Sequence, residues 1–222
     1  LYFRGLAVLG TGRYRGCRCL SCRRSVRAQP GFTPHVTTLG KGQRRMLALH
    51  CTMAFGGAWA GFAKHTGEQV TLIAPDLPSH GQSVDWDEVS DFSETSFLAA
   101  LSAMDEGPMD VIGHSFGGAV ALRLAVAHPE KVRSLTVVEP VFLAVGAANA
   151  PEAVHKHGAA IKPSLDALQA GDFETAARIF NGMWSDEGPK WETLPVRTRA
   201  AMVRAIHVLP AQHRFLFDDT AG

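Results

Sequence analysis

Residues 109–118, Met-Asp-Val-Ile-Gly-His-Ser-Phe-Gly-Gly, constrain this chain more than any other stretch. The apolar run through Val111 and Ile112 stops at Gly113, and a helix-forming run, 119–128, starts directly after Gly118. The pattern predicts a strand, a tight turn and a helix, with Ser115 at the apex. Gly113 and Gly117 leave room for such a turn to pack against neighbouring backbone. The first helical turn then directs its free N–H groups, that of Phe116 among them, at any negative charge forming beside the serine. The structural alternative is a strand-to-helix turn whose serine merely caps the helix.

The chain before this turn alternates strands and helices. Residues 35–39 read as an edge strand, Lys41-Gly42 as a turn and 45–50 as a buried strand, followed by a short helix over 58–65. A second buried strand, 69–75, runs into the loop Asp76-Leu-Pro-Ser-His-Gly-Gln-Ser83. Asp91-Phe-Ser-Glu94 is a capping box that opens a helix through Met104. After the Ser115 helix, His128-Pro129-Glu130 breaks the run and 132–138 forms another strand, ending in Glu139-Pro140. The alternation implies an α/β fold: a mostly parallel sheet with flanking helices and right-handed crossovers, in which Ser115 lies at the carboxyl ends of the strands.

Gly113-His-Ser-Phe-Gly117 in this setting resembles the nucleophile elbow of the α/β-hydrolase family. The loop 76–83 resembles the family's Asp-x-x-Gly-His-Gly-x-Ser, with Ser79 in place of one glycine. The loop after 45–50 usually begins His-Gly in that family; here it reads His50-Cys51-Thr52-Met53. The resemblance implies that Ser115 attacks an ester or related acyl carbon, and that the N–H groups of Phe116 and of Thr52, or Met53, hold the resulting oxyanion. It implies structural roles for His50 and His80. Glu139 is either the catalytic acid, as in some members, or a loop carboxylate capping a backbone N–H. The implied partner is a small apolar acyl substrate, with no metal or organic cofactor.

From residue 147 to 222 only helical segments are expected, at 151–170, 173–184 and 196–209, resembling the cap that many members insert over the active site. Phe173, Phe180, Met183, Trp184 and Trp191 would supply its apolar ceiling and core. Two further strands and a Gly-x-x-His motif usually follow; neither appears, so the C-terminal part of the sheet is expected to be missing and the strand 132–138 to be left as an open edge. A serine needs a base to take its proton. His207 and His213 are the late histidines available, both in cap-like sequence. The expectation is an incomplete serine hydrolase chain, with a non-enzymatic or degenerate family member that binds a small ligand as the alternative.

Residues 1–30 hold seven arginines and no acidic residue, so the remainder carries 15 basic and 21 acidic side chains. A body with that excess of acid argues against a nucleic-acid surface. The sequence divides into a basic segment 1–31 outside the fold, a core 32–146 and a cap 147–222. Cys17, Cys19 and Cys22 fall in the basic segment, with no nearby fourth ligand for a structural zinc site. No apolar run approaches a membrane span. A cytoplasmic protein is expected, although the arginine-rich start also resembles a targeting segment or a polybasic arm.

Overall fold

The computed structural model describes residues 6–9, 27–184 and 190–218. Its strands are β1 (Leu6–Leu9), β2 (Val36–Gly40), β3 (Arg44–Leu49), β4 (Val70–Pro75), β5 (Met109–His114) and β6 (Val132–Val138). The helices are α1 (Ala60–Thr66), α2 (Phe92–Ser102), α3 (Phe116–Ala127), α4 (Leu143–Asn149), α5 (Pro151–Gln169), α6 (Phe173–Gly182), α7 (Val196–Ala205) and α8 (Leu209–Asp218). The strands form one sheet in the order β1-β6-β5-β3-β4-β2. The inner four are parallel, as the alternation of strands and helices predicts, and β2 closes one edge antiparallel to β4.

The other edge differs from expectation. Leu6–Leu9 pairs antiparallel with β6, in register from Leu6 opposite Val138 to Leu9 opposite Leu135. The edge of β6 is therefore covered, which satisfies backbone groups that would otherwise template association. Residues 27–31 also dock on the body: the Asp91 N–H donates to the Arg27 carbonyl, and the Gln29 N–H to Thr95 Oγ1. The boundary expected at residue 32 is thus crossed by hydrogen bonds. Cys17, Cys19 and Cys22 lie outside the described residues. Among the described residues no strand follows β6.

Alternation of side chains along the strands builds two cores. On one face Leu47, Leu49, Val111, Leu135 and Val137 pack against Phe92 and Phe97 of α2, and against Phe116, Val120 and Leu124 of α3. On the other, Ala48, Leu72, Ala74, Ile112 and Val138 meet Trp59 beside α1. The Asp91 carboxylate caps α2 by accepting from the Glu94 N–H at 2.8 Å. The capping box is only half made, because the Glu94 carboxylate turns to Arg123 on α3. A salt bridge between two helices replaces the local bond.

A third core lies among the helices after β6, where Ile161, Ala176, Phe180, Trp191, Ile206 and Leu209 surround Met53. Phe180 and Trp191 are buried as the helical spacing suggests, whereas Phe173 and Trp184 are exposed. The last helix was not legible in sequence. Pro210 lies at its second position, where proline is tolerated, so the chain turns and begins α8 instead of ending. Phe215 and Leu216 of α8 join the core beneath α2 and α3, so this end of the presumed cap belongs to the body. No helix among the described residues is long and apolar enough to cross a membrane.

Candidate active site

The four parallel strands end on one edge, and each leads into a non-glycine residue with left-handed backbone. These are Met53 (φ 62°) after β3, Ser79 (φ 66°) after β4, Ser115 (φ 52°) after β5 and Glu139 (φ 46°) after β6. Such conformations cost of order 1 kcal/mol or more each, and persist where the surroundings over-determine them.

At Ser115 the surroundings are the elbow itself. Its N–H donates to the Val138 carbonyl at 3.0 Å, and its own carbonyl accepts from Gly118 and Ala119. The hydroxyl makes no capping bond to α3. A Cβ at Gly117 would lie 2.5 Å from the carbonyl oxygens of Leu49 and His50, and one at Gly113 would overlap the Gly117 carbonyl. The two glycines let α3 start directly against the end of β3, where the Cys51-Thr52-Met53 loop departs.

Two buried histidines shape that loop. His50 Nδ1–H donates to the Cys51 carbonyl at 2.8 Å, leaving Nε2 to accept the Leu77 N–H at 3.0 Å. His80 Nδ1–H donates to the Pro78 carbonyl at 2.8 Å, and Nε2 accepts the Met53 N–H at 3.1 Å. Each ring must be neutral to play both parts. Burial holds His50 below its ordinary pKa, and burial aided by the nearby His50 pushes His80 down to about 3. Both are structural, as the family resemblance implies. The Met53 N–H is thereby committed to His80.

Asp76 anchors the neighbouring loop. Its buried carboxylate accepts the Gly56 N–H at 2.6 Å and the Gln82 N–H at 2.8 Å, and lies 3.0 Å from His35 Nδ1. Gly81 is needed because a Cβ there would overlap that carboxylate. The motif showed that Asp76 matters; its partners His35 and Gly56, distant in sequence, had no signal.

Glu139 is half exposed, and its Oε2 lies 3.9 Å from Nε2 of His114, the residue before the serine. Burial lowers the His114 pKa, with Glu139 opposing. The late histidines go elsewhere. His207 Nδ1 donates to the Arg204 carbonyl and Nε2 meets the buried Ser79 hydroxyl at 3.1 Å, while the His213 ring stacks on Phe217 at 4.0 Å. The contacts of His207 tie the end of α7 to the loop after β4. Arg204 strengthens the tie, donating to the carbonyls of Gly81 and Ser83 and to Asp85. An apolar cavity of about 510 Å³ lies on the α1 side of the elbow, lined by Trp59, Phe62, Ala58, Cys51 and His114 among others. Burial pushes the Cys51 thiol up to about 11, so it is no nucleophile at neutral pH.

The sequence model of the alpha/beta hydrolase family matches residues 46–220. The chain belongs to the α/β-hydrolase family. Among curated members, lipase LipV of Mycobacterium tuberculosis is 34% identical over 164 residues, covering 70% of this chain and 57% of the lipase. The pimeloyl-[acyl-carrier protein] methyl ester esterase of Nitrosomonas europaea is 33% identical over 106 residues, covering 47% of this chain and 40% of the esterase. This hydrolase-family chain thus spans roughly two fifths to three fifths of those relatives. Its fold is shared by an alpha/beta hydrolase from Sphaerobacter thermophilus, with a TM-score of 0.58 at 24% identity over 84% of this chain and 70% of that one.

Proposed function

We propose that this chain carries the nucleophile and oxyanion hole of a serine hydrolase acting on esters of aliphatic acids. The observation that carries the reading is Ser115, held at φ 52° and ψ −118° at the apex of the elbow with its hydroxyl left out of helix capping. A serine in that conformation presents Oγ beyond the sheet edge. The Phe116 N–H begins α3, and the Thr52 N–H belongs to the loop against which that helix starts.

In this reading Ser115 Oγ adds to the ester carbon as a base removes its proton, and the carbonyl electrons move onto the oxygen held by Phe116 and Thr52. Collapse of the adduct expels the alcohol, which takes the proton back from the base, and water then releases the acid by the same steps. Glu139 is the carboxylate that orients the base. His207 is engaged with Ser79 and the His213 ring stacks on Phe217, so this reading assigns the base to neither. The apolar lining of the cavity beside His114, and relatives named as a lipase and a methyl ester esterase, support an aliphatic acyl group.

The test is labelling of the 222-residue chain and of its Ser115→Ala variant with a fluorophosphonate, with circular dichroism on both. Labelling of the wild type that the variant loses supports an activated Ser115. A folded wild-type chain that does not label leaves Ser115 without an activating base in these 222 residues, and labelling that survives Ser115→Ala refutes the assignment.

A further inference from the structure

Helix α8 carries a buried amide that packing does not explain. Gln212 is 1% exposed. Its Oε1 accepts from the Thr52 hydroxyl at 2.7 Å, while its Nε2 is buried with no hydrogen-bond partner among the described residues. A buried donor without an acceptor costs about 1–3 kcal/mol, and a leucine or methionine would fill the same volume without that cost, at the loss of one bond from the Thr52 hydroxyl. The same helix face carries Phe215 three residues on, whose ring packs edge-on against Phe116 at 6.1 Å and lies 6.0 Å from Phe142. One face of α8 therefore touches both Thr52 and Phe116, the two residues assigned here to the oxyanion. Bond lengths in the amide keep Nε2 within about 5 Å of the Thr52 hydroxyl.

We propose that Gln212 is a substrate-binding residue whose Nε2 donates a hydrogen bond to an oxygen of the acyl ester, beside the Thr52 N–H. The inference rests on the serine-hydrolase reading and names what that site selects: a ligand that brings an oxygen acceptor under α8. The Thr52 hydroxyl holds the amide by its oxygen, which fixes the nitrogen as the group left to meet the ligand. A site built around a buried donor discriminates strongly against a ligand that leaves the donor unpaired. The cap, which turns back into the body through α8, thereby contributes to ester recognition.

The test uses the ¹⁵N-labelled 222-residue chain with Ser115→Ala, which cannot attack the ester, titrated with methyl hexanoate. The Gln212 side-chain amide pair and the Thr52 and Phe116 backbone amides, assigned by triple-resonance spectra, are followed together. All three are expected to shift with one saturation curve, and Gln212→Leu is expected to weaken methyl hexanoate binding about tenfold without lowering the melting temperature. Shifts at Thr52 and Phe116 with none at the Gln212 amide would overturn the inference and leave the serine-hydrolase reading standing. No shift at any of the three would overturn both.

Discussion

Acid should loosen the Cys51-Thr52-Met53 loop through His80. The ring is 1% exposed, and its pKa of about 3 lies far below the ordinary histidine value near 6.5. Between those values the unfolded chain binds a proton that the folded one refuses. Stability is therefore full above about pH 6.5 and falls as the pH drops through that value toward 3. The slope is about 1.4 kcal/mol per pH unit, so at pH 5 the His80 contribution alone costs about 2 kcal/mol. His50, also held down by burial, adds in the same direction. The perturbation is His80→Gln, whose amide oxygen can still accept the Met53 N–H, and the assay is urea unfolding at pH 7.5 and pH 5. At pH 7.5 the variant should be less stable by about 1 kcal/mol, for the lost bond to Pro78. At pH 5 it should match or exceed the wild type, because it has no proton to refuse. The difference of differences, about 2 kcal/mol, cancels the other titrating groups. Equal pH sensitivity in the two proteins, or an NMR titration of His80 near pH 6.5, would refute the reasoning.

Gly117→Ala drives a methyl group to 2.5 Å from the carbonyls of Leu49 and His50, so α3 must retreat; we expect a loss of about 1–3 kcal/mol by urea unfolding, together with lost fluorophosphonate labelling where the wild type labels. Asp110, buried on β5, accepts from Arg44, Arg133 and Ser134, and these bonds outweigh burial and hold its carboxyl well below the usual range. Asp110→Asn should cost about 1–3 kcal/mol at pH 7, a modest figure because both arginines are half exposed and can turn to water. The gap should begin to narrow only below about pH 4, where the unfolded carboxylate starts to take up its proton; a gap that narrows already at pH 6 would point to another group.

Local signals made the centre of this fold legible. The elbow combines a strand, a helix and two obligatory glycines within ten residues, and the Asp76 loop keeps its glycine for a steric reason that acts five residues away. The roles of His50 and His80 followed from resemblance to family loops, and the hydrogen bonds explain them: each ring closes its own loop with one nitrogen and the adjacent loop with the other. The half-made capping box shows the limit of local reading, since Glu94 had a cationic partner 29 residues away that its own helix could not reveal. In sequence His207 is only a late histidine available as a base; the packing of the helices after β6 against the sheet edge brings it to Ser79.

The sequence alone determined the order of strands and helices, the parallel sheet and the place of Ser115 at its carboxyl edge, because hydrophobic period and turn chemistry act over a few residues. Tertiary structure decided which N–H of the Thr52-Met53 pair is committed, where α8 goes, that Leu6–Leu9 covers the β6 edge, and that Gln212 is buried against Thr52. Gln212 lies 160 residues from its partner. A contact at that separation exists only after the sheet, the cap and the returning helix have packed, and a glutamine in a helix carries no local mark of it.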